Sequence, residues 1–270
     1  LTSPVSTNRR AGEMDVRLVV ASGAACVAAT LIAWRMGPRW RVAWLLRSSH
    51  AHYASKRYDA ALTAAVAARG VATGWLGSAS AEHGKALLHL AAVHAAMRQN
   101  EAALALLDEC DALATRIHGP ASLQHVPTLH ARAEVLEEAG DMDGAVEALS
   151  RARAIRHAAL GPRHPAYARA CFNQAGLTVR YASGALEVSD EWRAAQVGQA
   201  ATLAIEASEV ALAAGDAEQG LEYAEALLEL ILSGTGGEDS ELAQLDGCFN
   251  HIQSLNQAIA SAKRDLDASQ

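Results

Sequence analysis

Apolar residues recur along most of this chain at the three- and four-residue spacing that is typical of an amphipathic helix. In the clearest stretch, residues 123–139 carry apolar side chains at positions i, i+4 and i+7 of one face. Gly140 and Asp141 interrupt this pattern, and a second helical pattern occupies residues 142–160. Glycine readily ends a helix and aspartate caps the next one. The stretch therefore predicts a helix hairpin.

The hairpin pattern returns every 42 residues. Two sets of residues repeat with this spacing, namely the turn glycines Gly77, Gly119 and Gly161 and the small residues Ala61, Ala103 and Ala145. A fixed period of this size indicates stacked supersecondary units. Because one hairpin cannot bury its apolar face alone, neighbouring hairpins must stack. The pattern predicts an all-α helix-hairpin solenoid.

The third hairpin carries a resemblance to a known family. Residues 140–146 read Gly-Asp-Met-Asp-Gly-Ala-Val, and with Ala152 they resemble the turn and second helix of a tetratricopeptide repeat (TPR). The common TPR has about 34 residues. The extra length here, with Leu-Gly-Pro-Arg-His-Pro at residues 160–165, resembles the longer repeats of the kinesin-light-chain type. The resemblance covers about residues 45–183. It implies a TPR-like solenoid but says little about function, because one fold serves many partners.

The other units are less regular. Residues 39–68 predict the first repeat, with its inter-helix turn at residues 54–58, and residues 79–98 and 100–118 predict the second. The fourth repeat begins with a helix over about residues 165–182.

The pattern then decays, because Glu187 falls where earlier repeats have a small Ala. Residues 189–192 read either as a distorted second helix or as a loop. A fifth pair is predicted at residues 200–214 and 217–232, and a more polar final helix at residues 238–266.

Residues 18–34 form an uncharged stretch of 17 residues between Arg17 and Arg35. This length is at the short limit for a membrane-spanning helix. Three of the five Trp residues cluster at or just beyond its C-terminal end, where an interfacial aromatic belt is expected: Trp34, Trp40 and Trp44. A secretory signal core and a buried solenoid helix are the alternatives. We predict a transmembrane helix, and the chain divides into an N-terminal tail (1–15), this helix (16–36), the TPR-like solenoid (37–236) and a C-terminal capping helix (237–270).

One face of the predicted span carries Ala at every fourth position, at Ala21, Ala25, Ala29 and Ala33. In lipid, such a ridge of small residues allows close approach of another helix. The alternative is chance, since Ala is abundant throughout the chain. Three Arg precede the span and four follow it closely. This excess on the solenoid side places the solenoid in the cytoplasm, matrix or stroma. Residues 1–11 contain Ser, Thr and two Arg but no acid, which fits the end of an organelle-targeting region or an ordinary mature tail.

Charge is divided unevenly along the chain. Residues 1–50 carry seven Arg against two acidic residues, a net charge of +5, and because the whole chain carries −7, residues 51–270 carry −12. A nucleic-acid-binding solenoid is expected to show a basic stripe. We therefore expect protein partners and membrane lipid, and no nucleic acid.

The sequence shows no constellation for catalysis. The four cysteines are far apart, without a Cys-x-x-Cys motif, and the His pairs lack the spacing of a helical zinc site. No phosphate loop or nucleophile elbow is present. We expect no enzyme activity, no cofactor, no metal and no small-molecule substrate.

The first helices of the repeats are expected to form the binding face. In the third repeat this face presents His130, Glu134, Glu137 and Glu138, and one period later it presents Phe172, Gly176, Val179 and Arg180. TPR proteins that bind chaperone tails hold a carboxylate with Lys, Arg and Asn, which the matching positions Leu46, His50, Leu88 and Ala92 lack. The resemblance thus argues against a co-chaperone. The acidic residues Glu134, Glu137 and Glu138 also have a simpler interpretation, because exposed helix faces are usually charged.

These observations predict a non-catalytic scaffold for protein–protein interaction. It would serve as a membrane-anchored accessory or assembly subunit of a larger membrane complex, organellar and respiratory in type. The mitochondrial inner membrane is the first choice, and another organellar or bacterial membrane is the alternative. The rival interpretation is a membrane-tethered adaptor or receptor that recruits soluble proteins. The partner-binding candidates are Ala21, Ala25, Ala29, Ala33, His130, Glu134, Glu137, Glu138 and Arg180.

Overall fold

The computed structural model describes residues 37–184, 189–214 and 216–235, together with single residues and pairs between 250 and 264. The predicted tail and membrane helix, including Ala21, Ala25, Ala29 and Ala33, lie outside the described residues. Every regular element in the described ranges is helical. Within these ranges, no helix combines the length and apolar character needed to cross a membrane.

Nine α-helices follow one another in the described residues between positions 38 and 235. They are α1 (Pro38–Ala54), α2 (Tyr58–Val71), α3 (Ala81–Ala96), α4 (Asn100–His118), α5 (Val126–Ala139), α6 (Met142–Leu160), α7 (Pro165–Gly184), α8 (Asp190–Ala213) and α9 (Ala217–Thr235). A π-helical turn (Ala72–Leu76) extends α2, and a 3-10 turn (Leu123–His125) leads into α5. The predicted first three hairpins agree with these bounds to within a few residues.

The described residues fall into two compact units, one up to residue 93 and one from residue 94 onward. In the first unit, α1 and α2 form a hairpin, and their buried residues Val42 and Ala68 lie in one cluster with Ala86 of α3. Ser49 is fully buried in this hairpin, and its hydroxyl donates a hydrogen bond of 2.6 Å to the carbonyl oxygen of Ala61. The small side chain at position 61 brings the two helix backbones close enough for this bond.

The turns that recur every 42 residues share one backbone conformation. Gly77, Gly119 and Gly161 have φ values of 87°, 83° and 86°. Residues other than glycine rarely adopt such positive φ values. The predicted turn positions are therefore confirmed, and the period marks the places where the backbone requires glycine.

A buried histidine fastens one of these turns to the next repeat. His125 is fully buried, and its Nε2 atom donates to the carbonyl oxygen of Gly119 at 2.9 Å. Its Nδ1 atom lies against the carboxylate of Asp111. One period away on either side, the equivalent residues His83 and Tyr167 are buried too. The sequence pattern did not predict this buried position, because a polar residue in a turn is expected to be exposed.

In the second unit, small and aliphatic side chains predominate in the interior between successive helices. Ala133 of α5 and Ala145 of α6 lie in one cluster with Leu149 and with Leu177 of α7. Ala145 is fully buried, and so are Ala61 and Ala103 at the same place in the earlier repeats. The predicted sites of close helix approach are thus confirmed.

The fourth repeat does not decay as predicted. Instead of a distorted helix or loop at residues 189–192 followed by a separate helix from residue 200, a single helix, α8, runs from Asp190 to Ala213 and packs on both α7 and α9. Ser189 caps this helix, since its Oγ atom accepts a hydrogen bond from the backbone N–H of Trp192. Asp190 and Glu191 suit the positive end of the helix dipole. The helix therefore starts at residue 190, where this capping signal stands.

Side-chain bonds join neighbouring repeats within the second unit. The tyrosine hydroxyls donate to carboxylates and the arginines form ion pairs, over separations of about 40 residues. The bonded pairs are Arg98–Glu138, Glu137–Arg180, Asp143–Tyr181 and Tyr167–Glu206. Beyond α9, the described residues of 250–264 are helical, and Lys263 forms an ion pair of 2.9 Å with Glu225 of α9.

Candidate functional site

A pocket opens in the second unit between α5 and α7, and α9 contributes to its wall. Its volume is about 320 Å³. The polar residues that line it are His130, Glu134, Glu137, Asn173 and Arg180. The apolar residues that line it are Ala133, Leu149, Phe172, Gly176, Leu177 and Ala226. We call this pocket the α5–α7 groove.

The repeat period explains why these residues meet. Helices α5 and α7 are the first helices of the third and fourth repeats, so residues 42 positions apart occupy equivalent places on them. Gly176 stands one period after Glu134. A Cβ atom at Gly176 would meet only Nη1 of Arg180, at 3.6 Å. The missing side chain at position 176 therefore leaves the space that forms the groove.

An arginine bridges the two helices along one side of the groove. Arg180 donates from Nε to Oε1 of Glu137 at 2.7 Å and from Nη2 to Oε2 at 3.1 Å. Such a bidentate pair fixes both the separation and the orientation of the planar groups. The charge of Glu137 is thus neutralised within the chain.

Glu134 lies one helical turn away and has no such partner. Among the described residues, its carboxylate forms neither a hydrogen bond nor an ion pair. Partial burial raises the pKa of Glu134, and the nearby charges of Glu137 and Glu138 raise it further. Both causes disfavour the charged carboxylate. Glu134 therefore presents an uncompensated acidic group to the groove.

His130 precedes Glu134 by four residues on the same face of α5. Burial lowers the pKa of His130, and the positive charge of Arg156 lowers it further. The ring is consequently neutral at pH 7. Its Nε2 atom is shielded from solvent and has no hydrogen-bond partner among the described residues. His130 thus supplies a polar but uncharged group beside Glu134.

The opposite wall of the groove is aromatic. The ring of Phe172 stacks on that of Tyr223 of α9, with centroids 4.6 Å apart and planes inclined by 22°. Tyr223 is buried. This stacking restricts the orientation of Phe172, which gives the groove a preformed apolar surface.

Several predicted binding residues come together here, whereas others do not. The structure places His130, Glu134, Glu137 and Arg180 around one pocket. Glu138 does not line it, and its carboxylate instead forms an ion pair of 3.3 Å with Arg98.

Val179, expected on the same face, is fully buried in the core between α7 and α8, because it faces that neighbouring helix. Asn173 and Ala226 also line the groove but were not predicted from the sequence. Asn173 stands one period after Ala131, which carries no polar signal. Because the 42-residue period does not continue as far as α9, the sequence could not show that α9 contributes to the groove.

Two further kinds of side chain bear on site chemistry, the metal-ligating residues and the cysteines. In the parts of the chain that the structure covers, no three His, Cys, Asp or Glu residues lie close enough to hold a metal ion. Cys110 and Cys171 are buried thiols. Burial raises the pKa of both, that of Cys171 to about 11. A thiol in such surroundings is a poor nucleophile.

Comparison with known proteins supports the fold. The tetratricopeptide repeat family matches residues 82–156, which span the second repeat and most of the third. No curated protein matches the chain. Repeats of this kind present extended surfaces to other proteins. The predicted TPR-like repeats are confirmed over this part of the chain.

Solved structures match over a larger share. One is the crystal structure of a point variant of a Podosopora anserina protein, described as a kinesin light chain with nearly identical TPR-like repeats. Its sequence is 16% identical to this chain, and the TM-score is 0.60. The match covers 85% of this chain and 99% of that one. At this identity the likeness shows the fold alone, an all-helical TPR-like solenoid.

Two further structures are similar at lower scores. A second crystal structure of the Podosopora anserina repeats is 15% identical, covers 87% of this chain and 98% of that chain, and has a TM-score of 0.47. BtubC (BKLC) from P. vanneervenii is 15% identical to this chain, and the TM-score is 0.42. The match covers 87% of this chain and 66% of BtubC.

Proposed function

We propose that this TPR-like chain is a non-catalytic scaffold that binds another protein through the α5–α7 groove. The observation that carries the proposal is the groove itself, a space between successive first helices with a fixed aromatic wall and a carboxylate unpaired within the described residues. Preformed pockets that combine apolar walls with a few polar groups are typical binding sites.

The size of the groove indicates what enters it. A volume of about 320 Å³ is at the lower end for ligand sites, so it suits one or two side chains of a partner segment. An anchor side chain that fills such a pocket can contribute much of an interface's binding energy. The groove would therefore hold an anchor of the partner, while flanking helix surfaces complete the contact.

We further propose that residues 18–34 anchor the scaffold in a membrane, as an accessory or assembly subunit of a membrane complex, with the mitochondrial inner membrane as first choice. Two exposed tryptophans on α1 support this. Trp40 and Trp44 are 63% and 58% exposed. Helix α1 also carries three Arg and no acidic residue. Trp and Arg at such a position suit the headgroup region of an anionic membrane.

The second candidate is a membrane-tethered adaptor that recruits soluble proteins. The same groove would serve it, so the two functions differ in how firmly the partner is held. A subunit should stay with its complex through mild detergent extraction. An adaptor should lose its partner in a high-salt wash, since salt screens exposed charges.

The groove can be tested with two substitutions at one position. Gly176→Leu should fill the space between α5 and α7 and displace a partner side chain. Gly176→Ala is the matched control, because its Cβ makes only an ordinary contact with Arg180, 3.6 Å away. In mid-helix, Ala for Gly should add about 0.5–1 kcal/mol of stability.

Both variants would be expressed as the full tagged chain, extracted in mild detergent and run on native gels, with melting curves to confirm folding. We expect the Leu variant to lose the partner seen with wild type and the Ala variant to keep it. A folded Leu variant that keeps every partner would exclude the groove as the binding site.

A further inference from the structure

The charges around the α5–α7 groove do not balance. Two carboxylates, Glu134 and Glu137, face one guanidinium, that of Arg180. Arg180 gives two of its N–H groups to Glu137. One negative charge therefore remains in the groove, and it belongs to Glu134.

Among the residues that the structure describes, no neighbouring side chain supplies the missing cation. His130 is the nearest candidate on α5, but its ring is neutral at pH 7 because burial and the charge of Arg156 both oppose protonation. Arg156 itself does not line the groove. The third acidic residue of this face, Glu138, pairs with Arg98. Among the described groups, Glu134 is thus the carboxylate of this face that lacks a cationic partner.

From this imbalance, and resting on the proposed function of the groove, we propose that the partner inserts a lysine or arginine side chain. Its cationic end would pair with Glu134, and its aliphatic stem would lie against the ring of Phe172. Long basic side chains commonly place their methylene groups on apolar surfaces in this way. The aromatic face also attracts the cation. The shielded Nε2 atom of His130 offers a further hydrogen-bonding group beside the carboxylate.

The rival occupant is an acidic segment that takes Arg180 away from Glu137. Such a ligand would have to break the bidentate pair and would leave two carboxylates unpaired. It would also approach Glu134, which repels it. A basic side chain meets neither obstacle.

The test uses the full chain in detergent and a displayed library of random 12-residue peptides. The tightest binders would be synthesised with a fluorescent label, and their dissociation constants measured by polarisation. We expect Lys or Arg to be enriched at one position of these peptides. We also expect replacement of that residue by Gln to weaken binding about tenfold, which corresponds to 1.4 kcal/mol.

Variants of the chain separate this inference from the proposed function. Glu134→Gln should weaken binding about tenfold, and should make the remaining affinity less sensitive to salt. Glu138→Gln is the matched control, since this carboxylate lies outside the groove and should leave the affinity unchanged. Gly176→Leu should abolish binding of every peptide.

Each outcome has one meaning. If Gly176→Leu leaves binding intact, the groove is not the site and the proposed function fails. If Gly176→Leu abolishes binding but Glu134→Gln does not change it, the groove binds peptides and the basic-residue inference is wrong. Enrichment of Asp or Glu, with binding lost in Arg180→Gln, would assign the groove to an acidic segment instead.

Discussion

Ser49 and His89, 40 residues apart in sequence, form a hydrogen bond of 2.7 Å between Oγ and Nε2 inside the first unit. The single hydroxyl proton of Ser49 is already donated to the carbonyl oxygen of Ala61. Ser49 must therefore accept from His89, so Nε2 of His89 carries a proton. The ring of His50 lies against it, with centroids 3.9 Å apart.

This arrangement predicts a loss of stability in mild acid. Burial, and next the charge of His50, lower the pKa of His89 to about 4, from 6.5 for an unperturbed histidine. Above pH 6.5 the ring is neutral in both the folded and the unfolded chain, and its stabilisation is complete. Between pH 6.5 and 4 only the unfolded chain takes up the proton. Stability should fall by about 1–2 kcal/mol between pH 7.5 and 5.

Urea unfolding at these two pH values provides the measurement. His89→Gln keeps a donor for Ser49 but cannot titrate, so it should reduce the difference between the two pH values by this amount. His118→Gln is the control, because His118 is exposed at the end of α4. An equal pH dependence in wild type and His89→Gln would contradict the prediction.

Ala145 tests the close approach of α5 and α6. It is fully buried in a cluster with Ala133 and Leu149. Ala145→Leu should overpack this contact and destabilise the protein by roughly 1–3 kcal/mol. Ala154→Leu, on the exposed face of the same helix, should change stability by less than about 0.5 kcal/mol. Equal melting temperatures for all three proteins would show that position 145 has room to spare.

The predicted membrane helix can be tested by extraction. If residues 18–34 span a bilayer, alkaline carbonate should leave the intact protein in the membrane pellet, because only integral segments resist it. Deletion of residues 1–36 should release a folded solenoid into the supernatant, with an unchanged helical circular dichroism spectrum. Recovery of the intact protein in the carbonate supernatant would rule out the span.

The alanine ridge of the predicted span distinguishes a docked helix from a simple anchor. Changing Ala25 and Ala29 to Leu keeps the segment apolar, so membrane insertion should persist. The added bulk should hold a partner helix away, because close packing drives helix association in lipid. We expect the double variant to stay in the membrane fraction but to leave the high-mass complex on native gels. Migration identical to wild type would favour the adaptor function.

The sequence predicted the fold wherever the repeat period persisted. Residues such as Gly119 and Ala145 recur because the same turn and the same helix contact recur, so spacing alone located them. The prediction failed after α7, where Glu187 occupies the place of the expected small residue. There the period suggested a decaying repeat, whereas Ser189 and the acidic residues after it mark the start of one long helix. Local capping chemistry was the better guide at this point.

The groove was only partly predictable. The period placed Glu134 and Gly176 on equivalent positions of two helices, but it could not show that glycine would leave a cavity there. The pairing of Arg180 with Glu137, and the exclusion of Glu138, depend on side-chain reach across the helices. Phe172 owes its fixed orientation to Tyr223 of α9, a helix beyond the regular period. These contacts join helices that are distant in sequence, so their spacing along the chain could not predict them.

The side-chain bonds between neighbouring repeats have a consequence for how the chain folds. Within the second unit, the bonds that join repeats, such as Glu137–Arg180 and Asp143–Tyr181, span only about 40 residues. Because each repeat of a solenoid contacts mainly its neighbours, folding can start at one repeat and propagate to the next. We therefore expect each repeat to dock as soon as the ribosome has delivered the next, so that folding of this unit keeps pace with synthesis from the N-terminus onward.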